Sequence, residues 1–121
     1  MAIDSFDRPV FVDTFLFDVS EDANASSYIE GWKIQHFDSI SIANGGAALT
    51  GTIRLQALVL RQSDETSDGN WMDVQSPPGT DITIAEDKII AVTVQPWVAI
   101  RLFSDMDEAS DRAFHVHGWR K

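Results

Sequence analysis

Apolar residues recur along this chain with the period of two that marks a half-buried strand, and only weakly with the 3.6-residue period of a helix. Over residues 50–61, Ile53, Leu55, Ala57 and Val59 share one face, with Thr52, Arg54 and Gln56 opposite. Leu58 and Leu60 add apolar surface to that second face near the strand end. Ile90, Val92 and Val94 alternate over 88–94, and Val98, Ile100 and Leu102 over 97–103. Over 112–119, Phe114 and Val116 point one way while His115, His117 and Trp119 point the other. The spacing also predicts a strand over 32–42, with Trp32, Ile34, Ile40 and Ile42 in phase, and a short one over 70–74. Residues 19–30, rich in Asn, Ser and Asp, read as a loop or a single helical turn.

The punctuation agrees. Asn44-Gly45-Gly46, Asp68-Gly69, Pro77-Pro78-Gly79, Glu86-Asp87 and Gln95-Pro96 fall between the periodic runs, where turns belong. About seven to eight short antiparallel strands with regular turns predict an all-β chain, a single β-sandwich or jelly-roll-like domain over residues 1–121. Residues 1–8 are expected to form an extended arm. No internal repeat or linker divides the chain.

One run breaks the alternation. In residues 9–17, Val10, Val12 and Leu16 are assigned to one face and Phe11, Phe15 and Phe17 to the other. Both faces are costly to leave in water, at roughly 25 cal/mol per Å2 of apolar surface. The run is therefore expected to contact another subunit, with a central strand covered on both sides as the alternative.

Charge narrows the partners. Nine Lys and Arg against nineteen Asp and Glu give a formal charge of -10. Such a surface repels phosphate backbones and anionic lipid, so neither nucleic acid nor membrane is expected as a partner. Without cysteine, disulfides, thiolate catalysis and Cys-ligated zinc are excluded. Residues 1–9 carry Asp4, Asp7 and Arg8 and no apolar run, so no signal peptide is expected there.

Candidate chemistry is sparse. Asp105, Asp107, Glu108 and Asp111 could offer oxygens to calcium, but counting from Asp105 the sixth and twelfth positions are Ser110 and Val116, not the Gly and Glu of an EF-hand. A solvated acidic loop is the reading adopted. His115 and His117 share a strand face without two further ligands at metal-binding spacing, so they read as a surface or interface pair. No GxSxG, P-loop or GxGxxG motif occurs, and no catalytic residue, metal site or cofactor is expected. Trp32, Trp71, Trp97 and Trp119 could stack on sugars, but core or interface positions are the expectation.

One stretch resembles a known family. Leu55-Gln56, Ser63-Asp64 and then Asp68-Gly69-Asn70-Trp71-Met72-Asp73-Val74 resemble a hairpin found in small tailed-bacteriophage virion proteins of β-sandwich type, and more loosely in discoidin-like domains. Trp97-Val98-Ala99-Ile100-Arg101-Leu102 and Arg112-Ala113-Phe114-His115-Val116 are similar to later strands of those proteins. The resemblance implies a non-enzymatic virion component made in the host cytoplasm, a capsid decoration or cement protein at the capsid surface. It would bind the major capsid protein or other virion subunits, as a homo-oligomer with a trimer favoured. The alternatives are a tail or adaptor subunit and a carbohydrate-binding module. Val10, Phe11, Val12, Phe15, Phe17, Trp97 and Trp119 are the expected interface residues.

Overall fold

The structure, a computed structural model, describes residues 9–18, 24–44, 49, 51–58, 70–76, 78–85, 89–106, 108 and 111–119. Residues 1–8, Val59, Leu60, Ser63, Asp64, Asp107 and the turns at Gly45-Gly46, Asp68-Gly69 and Glu86-Asp87 lie outside that set.

The strands are β1 (Val10–Phe17), β2 (Ala25–Glu30), β3 (Ser39–Asn44), β4 (Ile53–Leu58), β5 (Met72–Asp73), β6 (Thr83–Ile84), β7 (Ile89–Thr93), β8 (Ala99–Ser104) and β9 (Arg112–Trp119). They form two antiparallel sheets. One has the order β1-β9-β3-β7; the other has the order β2-β8-β4-β5, with β6 also paired to β4. The chain is a β-sandwich, as the alternation predicts.

The pairing is nested. β1 pairs β9, β2 pairs β8, β3 pairs β7, and β4 pairs β5 and β6, so the chain is one long antiparallel hairpin. Rolling that hairpin adds β3 beside β9 and β4 beside β8, which closes the two sheets over each other. That connectivity is a jelly roll.

The core lies between the sheets. From one side Phe15, Phe17, Ile40, Ile42, Phe114 and Val116 turn inward; from the other Ile29, Ile53, Leu55, Ile100 and Leu102 meet them. Each side chain of this kind stabilises the fold by about 1.5–3 kcal/mol when fully buried. Phe17 and Phe114 meet edge to face at 6.0 Å. Phe37 closes one end of the core over Gly118, where a Cβ would strike its ring.

Three expectations are corrected. The strand over 32–42 begins only at Ser39, because Gly31–Lys33 forms a 3-10 turn in which the N–H groups of Ile34 and Gln35 both donate to the Gly31 carbonyl. Gly31 is pressed against the Trp97 carbonyl, a close approach that only a residue without Cβ permits. Residues 25–30, read as part of a loop or a single helical turn, are an edge strand. The Ser26 hydroxyl there accepts from the Leu102 N–H and donates to the Ser27 carbonyl, so its polar residues serve the backbone. The strand expected over 97–103 runs from Ala99 to Ser104.

Candidate functional site

The outward positions of the four-stranded sheet form a continuous surface. β1 contributes Phe11, Thr14 and Leu16, and β9 contributes Ala113, His115, His117 and Trp119. β3 adds Ser39, Ser41 and Ala43; β7 adds Ile89, Ala91 and Thr93. Register places Ser41 between His117 and Ala91, and Ala43 between His115 and Ile89. Phe11 meets the His117 ring edge-on at 5.6 Å, and the Thr14 hydroxyl lies 3.4 Å from His115 Nδ1. Among the described residues, no regular outward position of this sheet holds Asp, Glu, Lys or Arg, in a chain of net charge -10; the charge in β1 is Asp13, at its bulge, part-exposed and ion-paired with Lys33 at 3.1 Å.

A register shift between Phe11 and Asp13 sets this surface. The bulge puts both Val12 and Asp13 opposite Val116, so alternation is broken once and Phe11 swings outward. Phe11 is 58% exposed, whereas Phe15 and Phe17 are 0% exposed. The expected interface is corrected accordingly. Phe15 and Phe17 belong to the chain's own core and are not offered to a partner, and Val12 packs half-buried against that core. Trp97 is likewise half-buried against the core, while Val10, Phe11 and Trp119 are exposed.

The outer face of the other sheet is covered by its own side chains. Arg101, 5% exposed, lies with its guanidinium 4.6 Å from the Trp71 ring centre and 5.3 Å from that of Phe103. Its Nε donates to Gln56 Oε1, and Gln56 Nε2 in turn donates to Asp73 Oδ1. Arg54 also pairs with Asp73, at 3.1 Å, and sits over Phe103. Leu58, Trp71 and Ala99 form a second small core under this layer.

The acidic loop is also corrected. Glu108 is 3% exposed and fully engaged: Oε1 accepts from Arg112 Nε, and Oε2 accepts from the Gly51 N–H and the Ser104 hydroxyl. Asp105 Oδ1 accepts from the Thr52 N–H. These carboxylates are structural clasps between the loop, β4 and β9. Among the described residues, no three metal-ligating side chains come together, and His115 and His117 lie on the uncharged face.

At the opposite edge the sandwich is open. A cleft of about 520 Å3 separates β7 from the 74–83 hairpin. Val74, Ile82, Ile90, Val92 and Trp97 give it apolar walls, and Gln75, Ser76, Thr83, Thr93 and Gln95 give it uncharged polar ones. Among the described residues Asp81 is its single charged one, holding Gln75 Nε2 at 3.0 Å. Neither the cleft nor the absence of charge across the four-stranded face was singled out in the sequence. The face was legible once the strands were phased; the cleft depends on which edges the roll brings together.

The fold and these surfaces define a jelly-roll β-sandwich with one uncharged sheet face and one open edge. No family model matches the chain, and no curated protein or solved structure matches it.

Proposed function

We propose that this chain is a non-enzymatic structural subunit of a tailed-bacteriophage virion, a capsid decoration or cement protein that lays the outer face of its β1-β9-β3-β7 sheet on the head shell. The observation that carries this reading is the lack of Asp, Glu, Lys and Arg at the described regular outward positions of that face in a chain of net charge -10. Covering a surface charge without a partner costs several kcal/mol, so a face free of them is the surface most cheaply dehydrated. Phe11 and Trp119 supply aromatic anchors of the kind that dominate protein interfaces.

The shell suits this face better than a second copy does. Four strands at about 4.8 Å spacing and five to eight residues at about 3.3 Å give roughly 400 Å2, half of the ~800 Å2 per partner in a stable complex. A second copy would also bring its own negative charge. A shell offers many equivalent sites, and a homo-oligomer engaging several of them gains affinity by avidity without further contacts. The resemblance of 55–56 and 68–74 to virion-protein hairpins supports the setting, and Gln56-Ala57 and Met72-Asp73 pair as β4 and β5.

The test is quantitative mass spectrometry of purified particles of the phage that encodes the chain. Copy number should track that of the major capsid protein, and Ser41→Asp, at the centre of the face, should lower incorporation about 100-fold or more. A few copies per particle would place the protein in the tail. Full incorporation of a folded Ser41→Asp variant would remove the face from the argument.

A further inference from the structure

We infer that the cleft between β7 and the 74–83 hairpin is a binding site for a neutral carbohydrate, held through Trp97 and the amide side chains at its rim. The inference does not rest on the assembly reading, although Ala91 and Thr93 border both surfaces. It starts from where the sandwich fails to close. On the β1–β2 side the Ser27 hydroxyl bridges the sheets, accepting from the Leu16 N–H and donating to the Thr14 carbonyl. Among the described residues, no hydrogen bond joins β6 to β7, and Ile82, Ile90 and Trp97 reach the core cluster only from its margin.

The lining selects the ligand. At about 520 Å3 the cleft falls within the range of small-molecule sites, about 300–1,000 Å3. Among the described residues no Lys, Arg or His lines it, and their one charge is the Asp81 carboxylate, so the described walls disfavour an anionic ligand. A purely apolar ligand would leave the Thr83 hydroxyl and the Gln95 amide at the rim without a partner in the complex. A pyranose ring fits both demands. Its C–H face covers an indole, and its hydroxyl groups, each donor and acceptor, satisfy amides and hydroxyls at the rim.

The rim is also rigid, which lowers the ordering cost of binding. Gln75 is fixed at both ends of its amide: Nε2 donates to Asp81 and Oε1 accepts from the Gly79 N–H at 2.9 Å. Gly79, at φ 92, turns the hairpin in the left-handed region that glycine favours. Ser76 N–H to Thr80 carbonyl and Ile82 N–H to Val74 carbonyl bonds, both 3.0 Å, complete the wall. Gln95 faces it from the segment after β7, with its side chain exposed and available.

The experiment uses the full chain with isotope-labelled amides and indoles, titrated with maltohexaose, cellohexaose, mannohexaose and chitohexaose, and with oligogalacturonate as the anionic comparison. At least one neutral hexasaccharide should bind saturably below about 10 mM, with shifts confined to 74–83, 90–95 and the Trp97 indole N–H. Oligogalacturonate should leave these signals unmoved. Gln95→Ala, at an exposed position, should weaken binding about fivefold at unchanged melting temperature, and Trp97→Ala about tenfold or more. Ser41→Asp should bind the sugar as the parent does, which separates this site from the assembly face. Silence of all four neutral sugars, equal binding of the anion, or shifts mapping elsewhere would overturn the inference, as would an extended peptide that perturbs β7 while the sugars do not.

Discussion

Outside the five-stranded sheet, Arg101 lies between two aromatic rings, Gln56 bridges it to Asp73, and Arg54 closes the row, so that even an arginine is left only 5% exposed. Outside the four-stranded sheet, Ser, Thr, Ala, His and a few aromatic residues stand at the same kind of outward position with little laid over them. The first face is finished within the chain: Arg101 Nε, Gln56, Asp73 and Arg54 join in one row and its rings cover the Arg101 guanidinium. The second face has neither charges to hold water nor neighbours to exclude it. The two sheets together teach that outward-facing is not one environment. A chain can spend polar chemistry to seal one surface and withhold it from another.

Substitutions can break that contrast, and the largest effect should come from beneath it. Phe15→Ser removes a ring from the core and leaves a hydroxyl in its place. It should cost about 5 kcal/mol in denaturant unfolding, enough to unfold a marginal domain. Next, Trp71→Ala strips the lid from Arg101 and from the Leu58–Ala99 cluster, with an expected loss of about 3–4 kcal/mol by the same measurement. Arg101→Lys keeps the charge but loses the planar stack and the fixed Nε donor. Its unfolding free energy should fall by about 1–2 kcal/mol, and a double-mutant cycle with Gln56→Ala should show coupling. On the other face, Phe11→Ser and Trp119→Ser should change stability by less than about 1 kcal/mol while removing association with virion particles, read by co-sedimentation. If Phe11→Ser destabilises the isolated chain as much as Trp71→Ala does, the uncharged face is part of the fold and the contrast between the sheets disappears.

Much of the sandwich was legible because its inner positions obey one rule. Ile53, Leu55 and Ala57, Ile40 and Ile42, and Phe114 and Val116 all turn inward as their spacing predicts. The failures have separate physical causes. β2 was missed because an edge strand beside the core needs few apolar residues, and its serines complete backbone bonding that sequence patterning does not register. Trp32 and Ile34 keep strand phase by coincidence within a turn dictated by the packing of Gly31 on Trp97. In β1 a single extra residue reversed the phase, sending Phe11 outward while Phe15 and Phe17 stayed inside. Glu108 looked like one more surface carboxylate, because its burial depends on Gly51, 57 residues away, meeting the nearby Ser104 and Arg112 on it. The candidate site was half visible: Phe11 and Trp119 were marked, while the cleft around Trp97 exists only once two sheet edges face each other.

The nested hairpin has a consequence for the chain as it is being made. β4, β5 and β6 are near neighbours in sequence, but β1 pairs only with β9, whose first residue, Arg112, lies 95 positions beyond Phe17. At about 5–20 residues per second, synthesis leaves β1 without its partner for roughly 5–20 seconds. Throughout that interval Phe15 and Phe17 have no completed core to enter, and the strand's hydrogen-bonding edge is a template for any other extended segment nearby. The step that closes the roll therefore waits for β9, whatever the order in which the other strand pairs form.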